Sequence, residues 1–134
     1  MTIGCSVSAT ILAVDDSTSV RKMVESALRS RRYQVVTAGD GIQALHALES
    51  GAGDSRFDLV VLDINMPRLD GLSLLKIVRA HAEWADLPVL ILTTEGQEGD
   101  RDQALMLGAT DYMVKPFRPT QLLARVAALL AQRE

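Results

Sequence analysis

Two hydrophobic periods alternate along this chain, and few folds accommodate such an alternation. Thr10 to Val14 (TILAV) is a short apolar run with the length of a strand. From Ser17 to Ser30 the period changes: Val20, Met23, Val24, Ala27 and Leu28 recur at the spacing of one helical stripe. Tyr33 to Thr37 is β-branched and strand-like. Asp40 then stands where it can cap a helix carrying Ile42, Leu45 and Leu48, which stops in the glycine-rich GAGD. Phe57 to Leu62 (FDLVVL) is a continuous apolar run, as in strands buried on both faces. A loop with Pro67, Asp70 and Gly71 leads to a helix with Leu72, Leu75 and Val78. Pro88 to Leu92 is a fourth strand, and a weaker helix after it ends at Gly108, a natural left-handed terminator. Thr110 to Val114 is the fifth strand, and the last helix carries Leu122, Leu123, Val126, Leu129 and Leu130.

Five strands alternating with five helices through short connections imply an α/β fold with a parallel sheet, right-handed crossovers and helices on both faces. The expected arrangement is a flavodoxin-like (βα)5 three-layer sandwich with strand order 2-1-3-4-5. At 134 residues the chain is one domain's worth, read as a flexible tail over 1–9 and a single domain over 10–134. Its one cysteine, Cys5, excludes an internal disulfide framework and a multi-cysteine zinc site. A net charge of −3 is a mild argument against a nucleic-acid partner. The longest apolar run, Leu87 to Leu92, is too short for membrane insertion, and the first ten residues do not read as a signal peptide, so the expected compartment is the cytoplasm.

In a parallel sheet of this kind the working site lies beyond the carboxyl ends of the strands. The residues expected there are Asp15 and Asp16 after the first strand and Asp63 and Asn65 after the third. Thr93, Thr94 and Glu95 follow the fourth, and Lys115 and Pro116 the fifth. Acids near helix starts are often only caps, which suffices for Asp40 and Asp70. It does not suffice for Asp15, Asp16 and Asp63, because a helix has one cap and the adjacent pair leaves an acid over. Carboxylates at about 4 Å repel by roughly 4 kcal/mol per pair at an effective dielectric of about 20. A cation would offset that cost, and an all-oxygen set suits Mg²⁺. With Lys115 and Thr93 beside it, the set suggests phosphoryl chemistry with an aspartate as nucleophile. No GxGxxG follows the first strand and no GxxxxGK[ST] occurs, which argues against dinucleotide and P-loop sites. The acids in DDSTS and the 4% aromatic content argue against a flavin.

Four stretches, VDDSTSVRKMV, VVLDINMPRLDGLSLL, PVLILTTE and GATDYMVKPF, stand in order on these elements. From about Thr10 to Leu130 the chain resembles the receiver domain of two-component response regulators, and among these the stand-alone chemotaxis regulators of the CheY type. The resemblance implies that Asp63 is the phosphoacceptor, taking a phosphoryl group from a phosphohistidine on a sensor histidine kinase. It implies Mg²⁺ bound directly by Asp16, Asp63 and the backbone carbonyl of Asn65, with Asp15 acting through a coordinated water. Thr93 and Lys115 are then the catalytic pair that holds the phosphoryl oxygens, and the Lys115–Pro116 bond is cis. Thr93 and Tyr112 form the switch, read out on the fourth helix, fifth strand and fifth helix. Asn65 and Glu95 tune the phosphoaspartate lifetime, and this pair implies fairly rapid self-dephosphorylation.

Three departures stand near these motifs: Ile64, Thr94 and the longer GAGDSRF loop. The function implied is a single-domain regulator that switches its affinity for a protein partner, such as a flagellar motor switch protein, and catalyses only its own phosphorylation and dephosphorylation. A phosphorelay intermediate or phosphate sink is the alternative. An Mg²⁺-dependent aspartyl-phosphate phosphohydrolase is more remote, because Asn65 stands where that chemistry needs a second acid. His46 and His81 are expected to face solvent, Trp84 to cover the end of the third helix, and Arg29, Arg31 and Arg32 to suit a helix C-terminus.

Overall fold

A computed structural model describes residues 9–50, 57–66, 69–94 and 98–133. The elements are β1 (Thr10–Val14), α1 (Thr18–Ser30), β2 (Gln34–Ala38), α2 (Gly41–Ser50), β3 (Leu59–Asp63), α3 (Gly71–Ala80), β4 (Val89–Thr94), α4 (Glu98–Met106), β5 (Asp111–Lys115) and α5 (Pro119–Arg133). The strands are parallel in the order β2-β1-β3-β4-β5. The fold class and strand order expected from the two periods are those observed. Cys5, most of the GAGDSRF loop, Pro67 and Glu95 lie outside the described residues.

The sheet separates two apolar layers, because successive strand residues point to opposite faces. Ile11, Ala13, Leu59, Val61, Leu90 and Leu92 pack with Val24 and Leu28 of α1 and Leu122 and Val126 of α5. Leu12, Val14, Val60, Leu62, Val89 and Ile91 pack with Ala44 and Leu48 of α2, Leu74 and Val78 of α3, and Ala104 of α4. All five residues of β3 are buried, as its unbroken apolar run predicts. α4 is the exception among the helices: Ala104 is its one buried side chain among the described residues, and Met106 is 88% exposed.

The strands extend further toward the site than the periods imply. Asp63, Thr93 and Lys115 are strand residues, with Asp63 opposite Leu92, Thr93 opposite Val114 and Thr94 opposite Lys115. Aspartate and lysine are poor strand formers in isolation, and here the ladder overrides propensity. α1 and α4 end alike. The Arg32 and Tyr33 amides return to the Arg29 and Leu28 carbonyls, and the Gly108 and Ala109 amides to those of Leu105 and Ala104. This is the Schellman arrangement, which needs a left-handed residue. Gly108 supplies it at φ 107°, and Arg32 adopts it at φ 68°.

His81 corrects an expectation. It is half-buried at the C-cap of α3, stacked on Trp84 with ring centroids 3.7 Å apart, and its Nδ1 accepts the Glu83 amide. Trp84 covers that helix end, as expected, and His46 is exposed.

Candidate functional site

The chain leaves β1 at Val14 and turns at once, which buries Asp15 and exposes Asp16. The cap of α1 is Ser17, whose hydroxyl accepts the Val20 amide at 3.3 Å. Sequence reasoning left one acid over at this turn, and the structure leaves both, because the serine takes the capping role. Asp40 and Asp70 are caps as expected, accepting from the Gln43 and Ser73 amides, each at 2.8 Å. Asp15 Oδ1 accepts the Ser17 amide at 2.9 Å, which aims its second oxygen toward the sheet edge.

Asp63 closes β3 and is 3% exposed, with Oδ1 accepting the Asn65 amide at 3.2 Å. Lys115 reaches over from the end of β5. Its Nζ lies 2.7 Å from Asp15 Oδ2 and 3.4 Å from Asp63 Oδ1. The approach to Asp15 is close but out of line, so that buried oxygen has a counter-charge and no directed hydrogen bond. Asp15, Asp16 and Asp63 each offer an oxygen within 4.8 Å of the others. One ammonium therefore lies between two buried carboxylates, with the exposed third beside them.

Asp63 stays protonated to a higher pH than a free aspartate, its pKa raised to about 7. Burial is the main cause and the Asp15 charge the second, with Lys115 and the Asn65 amide opposing both. A hard cation fits this donor set: three acids converge, one buried oxygen lacks a directed donor, and all donors are oxygens. An open groove of about 430 Å³ runs beside the acids, lined by Asp16, Asn65, Met66, Asp70, Leu72 and Asp100.

α3 begins hard against the end of β3. The Gly71 amide donates to the Ile64 carbonyl at 3.0 Å, and a Cβ at Gly71 would collide with the Asp63 carbonyl oxygen and lie 2.7 Å from Ile64 Cα. Thr93 is buried on β4, the strand between those that carry Asp63 and Lys115. The Lys115–Pro116 bond is cis. Tyr112 is half-buried on β5, and the Arg101 guanidinium of α4 lies 5.0 Å from its ring centroid.

The fold thus brings Asp15, Asp16, Asp63, Asn65, Thr93 and Lys115 to one rim, and Glu95 lies outside the described residues. Sequence reasoning missed Arg21, which donates to the Asp15 carbonyl, and Arg101 on Tyr112. A signal for Arg21 existed: a cation early in a helix opposes the helix dipole and needs another reason to be there.

Residues 11–127 match the response regulator receiver domain family. The chain belongs to that family. It is 44% identical over 123 residues to the transcriptional regulatory protein PrrA of Mycobacterium tuberculosis, covering 92% of this chain and 50% of that protein. It is 40% identical over 124 residues to the alkaline phosphatase synthesis transcriptional regulatory protein PhoP of Bacillus subtilis, covering 92% and 49%. The chain spans about half the length of these curated relatives. The solved chemotaxis response regulator CheY4 of Vibrio cholerae superposes with a TM-score of 0.83 at 38% identity, over 92% of this chain and 99% of that one. The receiver reading therefore stands. The expectation of no nucleic-acid partner gains no support from relatives named as transcriptional regulators. No helix among the described residues is long and apolar enough to cross a membrane.

Proposed function

We propose that this receiver accepts a phosphoryl group on Asp63 from the phosphohistidine of a sensor kinase. The observation that carries the reading is Lys115 held between Asp15 and Asp63 while three carboxylates converge within 4.8 Å. Asp63 is the nucleophile: one of its oxygens bonds to phosphorus as the donor's phosphorus–nitrogen bond breaks. Asp16, Asp63 and the Asn65 carbonyl would hold Mg²⁺, with Asp15 acting through a coordinated water. The ion supplies charge neutralisation for the transferring phosphoryl group. Lys115 turns from Asp15 toward the incoming oxygens, and Thr93 donates its hydroxyl to another. Tyr112 then moves with Thr93, and the face formed by α4, β5 and α5 changes its affinity for a protein partner. Asn65 and Glu95 set the lifetime of the acyl phosphate.

Intact-mass spectrometry after treatment with acetyl phosphate and Mg²⁺ tests this. One phosphoryl adduct is expected, absent in Asp63→Asn; an unmodified wild type overturns the reading. For the output, the likeness to CheY4 supports a chemotaxis role with a flagellar motor switch protein as target. The identity to PrrA and PhoP supports a role in controlling transcription. Binding of a motor-switch peptide with and without beryllofluoride separates these. Phospho-dependent binding supports chemotaxis, and its absence leaves transcriptional control or a phosphorelay role.

A further inference from the structure

We propose that Arg21 is a positioning residue for the cation site, acting through the peptide that joins Asp15 to Asp16; the inference rests on the metal reading above. Arg21 lies early in α1, and its Nη1 donates to the Asp15 carbonyl oxygen at 2.7 Å while Nη2 reaches Thr18 Oγ1 at 3.3 Å. The guanidinium lies against Gly39, where a Cβ would sit 3.2 Å from Nη1.

Asp15 is gripped at four points. Its amide donates to the Ala38 carbonyl at 3.1 Å, its Oδ1 accepts from Ser17, its Oδ2 faces Lys115, and its carbonyl accepts from Arg21. Of these, the Arg21 contact alone bears on the peptide leading to Asp16. Asp15 points inward and Asp16 outward from this one turn, so the tilt of that peptide sets where the exposed Asp16 carboxylate stands relative to Asp63. A planar, pre-organised fork suits that task better than a flexible ammonium.

Charge and position make opposite demands here, which gives the inference a decisive sign. As a mere positive charge near three acids, Arg21 repels Mg²⁺, and its removal tightens binding. As a clasp, its removal loosens binding. The experiment uses the full chain with Mg²⁺ alone as probe, read by calorimetry and thermal shift, together with the Mg²⁺ dependence of phosphorylation by acetyl phosphate. In Arg21→Gln the Mg²⁺ dissociation constant is expected to rise about tenfold, with a smaller fall in the rate at saturating Mg²⁺. Arg21→Lys, which keeps the charge, is expected to fall between it and the wild type. Unchanged or tighter binding in Arg21→Gln overturns the inference. Should that variant fail to fold, unchanged affinity in Arg21→Lys overturns it instead. A wild type indifferent to Mg²⁺ removes the metal reading itself, whereas a responsive wild type with a wild-type-like Arg21→Gln removes this inference alone.

Discussion

At the rim where the strands begin, Arg79 donates to the carbonyls of Leu87 at 2.7 Å, Gly108 at 2.9 Å and Ala85 at 3.2 Å, and Thr110 Oγ1 accepts the Val89 amide at 3.0 Å. At the rim where they end, Asp15 keeps a buried oxygen with no directed donor, and one lysine is shared between two buried acids. Both rims carry charge that is at least partly buried. Burial lowers the Arg79 pKa from its usual value, with Asp86 opposing, and it raises that of Asp63. The difference lies in satisfaction: Arg79 spends its donors on backbone carbonyls of two connections, whereas the acids lack the donors to balance them. The first arrangement secures a fold, and the second leaves a place for a ligand.

Breaking the satisfied rim is expected to have the largest effect. Arg79→Ala removes a guanidinium that joins the connection before β4 to the one before β5. It should cost about 3 kcal/mol in urea denaturation; a loss below about 1 kcal/mol would show that water replaces it at little cost. The unsatisfied rim should respond to Mg²⁺ with nearly as large a change in the other direction. A hundredfold excess over the dissociation constant should add about 2.7 kcal/mol, and Asp16→Ala should abolish the gain. A flat melting temperature across Mg²⁺ concentrations would mean that the acids bind no such ion.

A third test titrates that rim without metal. The Asp63 pKa is raised, so its ionised form disfavours the folded state, by an amount that grows between pH 4 and 7 and is absent below the unfolded pKa. Asp63→Asn should therefore stabilise the metal-free domain by about 2 kcal/mol at pH 8 and by almost nothing near pH 4. An equal gain at both values would assign the effect to packing. The smallest effect concerns the two like helix ends. Arg32→Gly should stabilise α1 by about 1 kcal/mol, while Gly108→Ala should destabilise α4, because a left-handed residue there also packs against Arg79. Thermal melts of the two variants that moved in the same direction would refute the comparison.

Much of this was legible in the residues. The helical and strand periods located nine of the ten elements, because a parallel sheet with helices on both faces needs continuous apolar strands and one-sided helices; α4, with one buried side chain among the described residues, was marked only by its terminator Gly108. The site was legible for the same reason: the order of the strands brings Asp15, Asp63 and Lys115 to one edge. What escaped were contacts made by single cations and short polar side chains. Arg79 reaches Gly108 across 29 positions, which no local pattern records. Arg21 resembles any solvated charge until the carbonyl beneath it is seen. The basic residues marked the end of α1, but Arg32 takes a conformation that usually signals glycine, so its left-handed turn carried no marker. Ser17, rather than either of the two acids before it, takes the capping role.

The close seating of Gly71 against Asp63 and Ile64 bears on how the domain tolerates change. A hydrogen atom is all that separates the first turn of α3 from the backbone of Asp63, so an added methyl group there would shift the proposed acceptor without touching its carboxylate. In a saturation screen scored for phosphorylation, this small, unreactive position should rank with the carboxylates themselves, while the outward surfaces of the same helix accept most replacements.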